Sequence, residues 1–160
     1  MTPEEFIEIA HAYRVLADLE PSQLRKLLLI AEEKEFAAET IIIPERAKSS
    51  FLYLIVSGAV ALERWLDHYT VLIQTLHAGD AMGWSALTSD ARTHFQTRAL
   101  TPVSTVAFAG DRLLAACDQD PRMGYALMKR LLELVTERLD RTRLQPANRE
   151  QPQAVGASDR

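Results

Sequence analysis

The sequence predicts a mainly β fold in which a closed or sandwiched all-β core is flanked by helices. Between residues 36 and 108, short runs rich in β-branched and aromatic residues recur at roughly regular spacing, separated by turn signals such as Ser57-Gly58. Helical periodicity appears only before and after this region. With 160 residues, of which 48% are hydrophobic and 25% charged, the chain fits one domain with a core of its own.

Two helices are predicted before the strands. Thr2 is placed to cap the first helix, with Pro3 at its first position and two glutamates in the first turn. The second helix is expected over residues 21–33, because Leu24, Leu27 and later apolar residues share one face. We therefore expect residues 1–33 to be N-terminal helices and residues 34–109 to form the β region.

Helical periodicity returns after residue 110, with a short helix over residues 112–117 and a long one from Asp120-Pro121 to about residue 144. The long helix carries two apolar stripes, Met128, Leu132, Val135 and Leu139 in one and Leu127, Leu131 and Leu134 in the other. A single barrel surface rarely needs both. We therefore expect a homodimer through this helix, with Met128, Leu131, Leu134 and Val135 at the interface. The alternative is one wide stripe buried within a single subunit.

The helical region is expected over residues 110–145, and residues 146–160 are predicted to be a disordered tail, because they show no periodicity and no aromatic residue. A helix-turn-helix reader needs two ordered helices. Since only this tail follows the long helix, we expect no DNA-binding domain in this chain, which disfavours a transcription factor.

The segment over residues 79–99 is the expected functional centre. It opens with a Gly-Asp turn, and Gly83 lets the backbone approach another group closely before the short apolar stretch of residues 84–87. A turn of helix placed there has free backbone N–H groups, which favour an anion. The alternative is a loop that only caps a β-barrel.

Charge and cysteine content restrict the partners and the compartment. A net charge of −4 argues against nucleic acid over the whole surface, and the longest apolar run is interrupted at residues 57–58 and too short to span a membrane. The acidic N-terminus is unlike a signal peptide. Cys117 is the single cysteine, which excludes an internal disulfide. A cytoplasmic protein is expected.

The sequence contains no motif typical of a catalytic site. The four histidines are scattered, and none lies two or four residues from another, so no metal cluster is expected. There is no nucleophile elbow and no phosphate-binding loop that ends in Gly-Lys. We therefore predict a non-enzymatic protein without a cofactor or metal. A cupin-like metalloenzyme built from distant histidines is the enzymatic alternative.

The order of elements, together with particular residues, resembles the cyclic-nucleotide-binding domain of the catabolite activator family and of the regulatory subunits of cAMP-dependent kinase. Residues 51–60, FLYLIVSGAV, are similar to the Leu-Tyr-x-Ile-x-x-Gly-x-Val core of the family's opening hairpin. Residues 76–83 resemble the approach to the family's phosphate-binding cassette. Ala86-Leu87 and Ala99 fit the ends of the cassette. The resemblance covers residues 15–144 and implies a jelly-roll (double-stranded β-helix) barrel and a bacterial-type sensor.

The cassette departs from the family at two positions. Where members that bind cAMP carry a glutamate for the ribose hydroxyl, directly after the cassette glycine, this chain has Trp84. Where they carry an arginine for the cyclic phosphate, this chain has Thr93, and Arg92 lies one position early. In an extended segment, that shift turns a side chain to the opposite face unless a local bulge restores it.

Two lost contacts predict a large loss of affinity. A hydrogen bond to a charged group contributes about 1.5–3 kcal/mol, so losing both weakens binding by a factor of about 10² to 10⁴. We therefore expect a regulatory module whose binding of cAMP or cGMP is weak, altered or absent. The alternative is a genuine cAMP receptor, in which Arg92 and the backbone N–H groups of residues 83–87 hold the phosphate. The expected ligand-binding residues of the cassette are Gly83, Trp84, Ser85, Ala86, Leu87, Arg92 and Thr93.

Overall fold

The computed structural model describes residues 1–90 and 92–144. The predicted tail, residues 146–160, lies outside the described residues. The helices are α1 (Pro3–Ala10), α2 (Pro21–Leu28), α3 (Gly110–Gln119) and α4 (Pro121–Leu144). The strands are β1 (Ala31–Phe36), β2 (Ile41–Ile43), β3 (Phe51–Ser57), β4 (Val60–Leu66), β5 (Tyr69–Leu76), β6 (Ala81–Met82), β7 (Gln96–Ala99) and β8 (Val103–Ala109).

The strands form two four-stranded sheets in which every pairing is antiparallel. One sheet has the order β1-β8-β3-β6, and the other has the order β2-β7-β4-β5. Consecutive strands β3 and β4 lie in different sheets, as do β7 and β8. The chain therefore passes from sheet to sheet as it does in a jelly-roll barrel, and the fold class expected from the sequence is confirmed.

Strand β3 is buried on both faces, which explains its nearly continuous apolar sequence. Leu52 and Leu54 face the helices and join a cluster with Phe6, Phe108 and Leu127. The alternate residues of β3 face the barrel interior and join a second cluster. The helices therefore pack on one sheet, and the barrel keeps an interior of its own.

The predicted second helix is wrong beyond residue 28. Helix α2 ends at Leu28, and the segment that begins at Ala31 is strand β1, which pairs with β8 in an unbroken register from Ala31–Phe108 to Phe36–Val103. The residues concerned, Ala-Glu-Glu-Lys-Glu, are good helix formers. Here the hydrogen-bonded ladder with a sequence-distant strand overrides local propensity.

Local sequence signals account well for the ends of the other elements. Thr2 and Glu5 form a reciprocal capping box at the start of α1, with N–O distances of 3.2 and 2.7 Å. The carboxylate of Asp120 accepts from the backbone N–H of Met123 at 3.2 Å, at the start of α4. Asp67 adopts a positive φ of 55° in the tight turn between β4 and β5.

Candidate functional site

The cassette is a sharp backbone turn between strand β6 and a single 3₁₀ turn, Trp84–Leu87. Gly83 has φ +86°, in the left-handed region, and a Cβ at this position would lie 2.4 Å from the carbonyl oxygen of Phe51. Only glycine meets both conditions without strain. The Ser85 hydroxyl accepts from the backbone N–H of Ser49 at 2.9 Å and thereby ties the turn to the segment before β3.

A cavity of about 160 Å³ lies between this turn, the strands of the second sheet and helix α4. Its apolar wall consists of Ile43, Leu62, Met82, Phe95, Val135 and Leu139. Gly83, Ser85, Thr97 and Thr142 also line it, together with Trp84, Arg92, Thr93, His94 and Arg138. Among the described residues, none that lines this cavity is an aspartate or a glutamate. The cavity therefore has an apolar wall and positively charged side chains.

The structure brings five of the seven expected cassette residues to this cavity: Gly83, Trp84, Ser85, Arg92 and Thr93. The other two lie elsewhere. Ala86 is buried, and its carbonyl oxygen lies only 2.1 Å from where a Cβ of Gly110 would be, so the turn packs directly on the start of α3. Leu87 packs against the helix-side core.

Thr93, at the position of the family's phosphate arginine, is engaged with its own chain. Its hydroxyl donates to the carbonyl oxygen of Phe95 at 2.8 Å and accepts from the backbone N–H of the same residue at 3.1 Å. Arg92 is exposed, and its Nη1 donates to the carbonyl oxygen of Arg46 at 3.2 Å. The guanidinium of Arg92 is therefore held at the rim of the cavity.

Arg138 of helix α4 is the functional candidate that sequence reasoning missed. Its side chain is only 5% exposed, and its guanidinium carbon lies 4.4 Å from the centroid of the Trp84 ring. Its Nη2 donates to the carbonyl oxygen of Ala81 at 2.5 Å. Within the described part of the chain, its Nε is buried and has no hydrogen-bond partner.

Burial lowers the pKa of Arg138 to about 10, and the nearby charge of Asp80 opposes this shift only in part. The carboxylate of Asp80 already accepts from the backbone N–H of His77 at 2.8 Å. Arg138 remains a cation at neutral pH, and no carboxylate of the described residues forms a salt bridge with it. A buried charge of this kind is costly unless something pairs with it.

The sequence contained a signal for Arg138. Leu127, Leu131 and Leu134 lie on the buried face of α4, and Arg138 takes the next place in the same spacing of four, three and four. A charged residue that continues a buried apolar stripe is expected to have polar partners within the fold. Here those partners include Trp84 and a backbone carbonyl.

The four expected interface residues of α4 lie in or against the core of their own subunit, or line the cavity. Leu131 is buried within its own subunit, and Met128 and Leu134 pack against the same core, so the prediction that places Leu131 at a dimer interface is wrong for this residue. Val135 lines the cavity. Among the α4 residues whose side chains the structure describes, the large apolar ones that are exposed are Tyr125, Leu132 and Leu139, at 72, 67 and 52%.

The described residues show neither of two features that mark other classes of function. No helix among them combines the length and the apolar character that a membrane span requires. Nor do residues 1–90 and 92–144 contain a group of three or more His, Cys, Asp or Glu side chains placed to hold a metal ion.

The chain resembles proteins of known structure along most of its length. A protein of Geobacter metallireducens GS-15 assigned as cyclic nucleotide-binding is 30% identical, with 87% of this chain and 98% of that chain covered and a TM-score of 0.71. A cyclic nucleotide-binding domain from Methylobacillus flagellatus KT is 20% identical, with coverages of 94% and 86% and a TM-score of 0.77.

A third similar structure is the regulatory subunit of a cAMP-independent protein kinase A from Trypanosoma brucei, solved as a triple mutant bound to cAMP in the A site. It is 20% identical, with coverages of 79% and 51% and a TM-score of 0.62. No curated protein matches the chain significantly. The family model of the cyclic nucleotide-binding domain matches residues 33–120, which is more than half of the sequence. The chain therefore belongs to the cyclic nucleotide-binding domain family.

Proposed function

We propose that this chain is a non-enzymatic regulatory module that binds cAMP and cGMP weakly or not at all, through a cassette that has been altered for another ligand. The observation that carries the proposal is the arrangement at the two diagnostic positions. The Trp84 indole lines the cavity and stacks on Arg138, where the family's ribose-binding carboxylate is expected. Thr93 offers a hydroxyl already engaged with the Phe95 backbone, where the phosphate arginine is expected.

The size of the cavity supports the same proposal. Ligand-binding pockets usually have volumes of about 300–1,000 Å³, whereas this cavity is about 160 Å³. Trp84 lines this small cavity at the position where the family's ribose-binding residue is expected, and we expect its indole to occupy the space of the ribose. Binding of a whole nucleotide would require the indole to move away from the Arg138 guanidinium.

The alternative is a genuine cAMP receptor that uses Arg92 and backbone N–H groups of residues 83–87. The observation that favours it is the position of Arg92 on the cavity wall. In that case Arg92 exchanges the carbonyl oxygen of Arg46 for the phosphate, which costs only one exposed hydrogen bond.

Calorimetric titration of the purified protein with cAMP and cGMP, up to millimolar concentrations, separates the two functions. The proposal expects no binding at micromolar levels. Micromolar binding that Arg92→Ala abolishes would establish the receptor. Arg64→Ala is the matched control, since Arg64 is exposed and lies away from the cavity.

A gain-of-function variant tests the physical reason. Trp84→Glu with Thr93→Arg restores both charged contacts and is expected to tighten cAMP binding by a factor of about 10² to 10⁴. Replacing Thr93 by lysine supplies the positive charge without the paired N–H donors of a guanidinium, so it should restore less of the affinity for cAMP. The cAMP-bound Trypanosoma structure likewise carries three substitutions, one of which introduces an arginine in place of a threonine. A folded double variant without any gain would contradict the proposal.

We also propose that the module forms a homodimer through α4. Tyr125, Leu132 and Leu139 follow one another at intervals of seven residues, with the half-buried Met128 and Val135 between them. This is the a/d spacing of a two-stranded coiled coil. The proposed interface therefore keeps Met128 and Val135 and uses Leu132 and Leu139 in place of Leu131 and Leu134, which pack in or against the core.

A further inference from the structure

We infer that the cavity binds a small organic oxyanion, which is a carboxylate or a phosphate ester on a compact apolar group. Arg138 of helix α4 is the principal residue that binds it. This inference rests on the proposed function, because it names the ligand class that replaces the cyclic nucleotide. It assigns the charge recognition to the C-terminal helix instead of the cassette.

The first argument is the unmet hydrogen-bonding capacity of Arg138. The guanidinium has five N–H donors in a planar fork, and its one hydrogen bond to the described residues goes to the carbonyl oxygen of Ala81. Its Nε–H is buried without a partner in that part of the chain. An oxyanion accepts two parallel N–H bonds from such a fork, and this is the strongest pairing open to arginine.

The second argument is charge. Arg138 and the rim residue Arg92 both line the cavity, and no described acidic side chain lines it with them. A low-dielectric enclosure strengthens the attraction between such cations and an anion. Trp84 covers one face of the Arg138 guanidinium, so the N–H groups at its edge are the groups that remain to bind a ligand.

The third argument is the shape of the cavity. Its volume of about 160 Å³ is close to that of an engineered cavity of about 150 Å³ that accepts benzene. The apolar residues that surround it, such as Met82, Val135 and Leu139, suit one ring or a branched chain of similar size. The ligand therefore has one oxyanion group and an apolar body about as large as a single ring.

The position of Arg138 gives this ligand a mechanical consequence. Arg138 belongs to α4, whereas Ser85 and Thr93 belong to the barrel and its loops, and all three line the same cavity. A bound oxyanion therefore joins the helix to the barrel. The anion adds to the contacts that Arg138 already makes with the carbonyl oxygen of Ala81 and with Trp84.

The test uses phenyl phosphate and benzoate as probes, with benzyl alcohol as the uncharged control and sodium chloride to match ionic strength. Trp84 and Trp65 are the two tryptophans of the chain. In a Trp65→Phe background, fluorescence therefore reports Trp84, which stacks on Arg138. We expect a saturable change with at least one of the two anions and none with benzyl alcohol. The anion that binds identifies the source as a carboxylate or a phosphate.

Variants of Arg138 test whether this residue binds the anion. Arg138→Met should weaken binding of the probe at least about tenfold and remove its thermal stabilisation of the protein. Arg138→Lys keeps the charge without the fork and should weaken binding less. Arg143→Met is the matched control, an exposed arginine of the same helix that does not line the cavity.

Three results would overturn the inference: no saturable binding of either anion by the parent protein, equal affinities for the parent and a folded Arg138→Met variant, or equal losses for Arg138→Met and Arg143→Met. If Arg138→Met does not fold, unchanged affinity of Arg138→Lys has the same meaning. The failure of the proposed function is distinguishable, because it appears as micromolar binding of cAMP or cGMP, whereas these results concern the two probes alone.

Discussion

Replacing Arg138 with methionine is expected to change the free energy of unfolding by less than about 1 kcal/mol, although it removes a buried hydrogen bond and a stacking contact. Burial lowers the pKa of this guanidinium to about 10. Because a tenfold change in an equilibrium constant corresponds to about 1.4 kcal/mol, burying the charged form costs on the order of 3 kcal/mol.

The interactions that Arg138 makes stabilise the folded protein by a similar free energy. Its hydrogen bond to the carbonyl oxygen of Ala81 contributes about 1.5–3 kcal/mol, as bonds from charged groups do. Its cation–π contact with the half-buried Trp84 contributes about 0.5–2 kcal/mol, the range between an exposed and a desolvated contact. Since methionine preserves the packing of the side-chain stem, the opposing contributions nearly cancel in the substitution.

The assay is urea denaturation followed by far-ultraviolet circular dichroism, without added anion, with the midpoint and the slope m compared between the two proteins. Loss of 3 kcal/mol or more at unchanged m would refute the reasoning, because that is the penalty for breaking a compensated buried ion pair. Arg138 would then be a structural residue, and its role in ligand binding would lose its physical basis. A small change shows that stability alone does not account for a charge at this position.

Three further outcomes test other parts of the structure. Gly83→Ala should destabilise the protein by about 1–3 kcal/mol, measured by urea denaturation, since it forces a Cβ within 2.4 Å of a backbone oxygen of β3 at φ +86°; an unchanged midpoint would contradict the geometry of the cassette turn. Arg98→Met should cost about 3 kcal/mol at pH 7, because it leaves the buried Glu63 carboxylate without its cation. Arg98 holds the pKa of Glu63 below its usual value, so the stability from this pair is present at neutral pH and is lost as the pH falls through that lowered pKa. The cost should therefore be smaller at pH 4 than at pH 7, and a cost independent of pH would count against the ion pair. Leu132→Glu should lower the mass measured by light scattering, whereas Leu29→Glu, at an 85% exposed site directly after α2, should not; a wild-type protein that is already monomeric would end the dimer proposal.

Much of the fold could be predicted because its signals are local. The capping box at Thr2 and the turn at Asp67 each depend on residues a few positions apart. The two departures from the family's cassette motif, Trp84 and Thr93, could also be identified from the sequence, because a motif of fixed spacing reveals a substituted position directly.

The errors arose where sequence-distant contacts decide the outcome. Residues 31–33 have helical propensity, but they pair with β8, more than seventy residues later in the chain. Leu131 and Leu132 are adjacent leucines in one periodic helix, yet the first is 5% exposed and the second 67%. Periodicity shows that a helix has an apolar face and does not show how much of that face the barrel covers.

The amino-acid sequence by itself determined the family, most of the order of the elements and the presence of Trp84 and Thr93 at the two diagnostic cassette positions, because short-range spacing carries all three. Only the tertiary structure decided which groups meet in the cavity. Arg138 lies 57 residues from the carbonyl group that it contacts, and its stacking on Trp84 joins the last helix to the cassette turn. No local pattern reports such a contact, since it depends on how α4 packs against the barrel, which is set by the whole core at once.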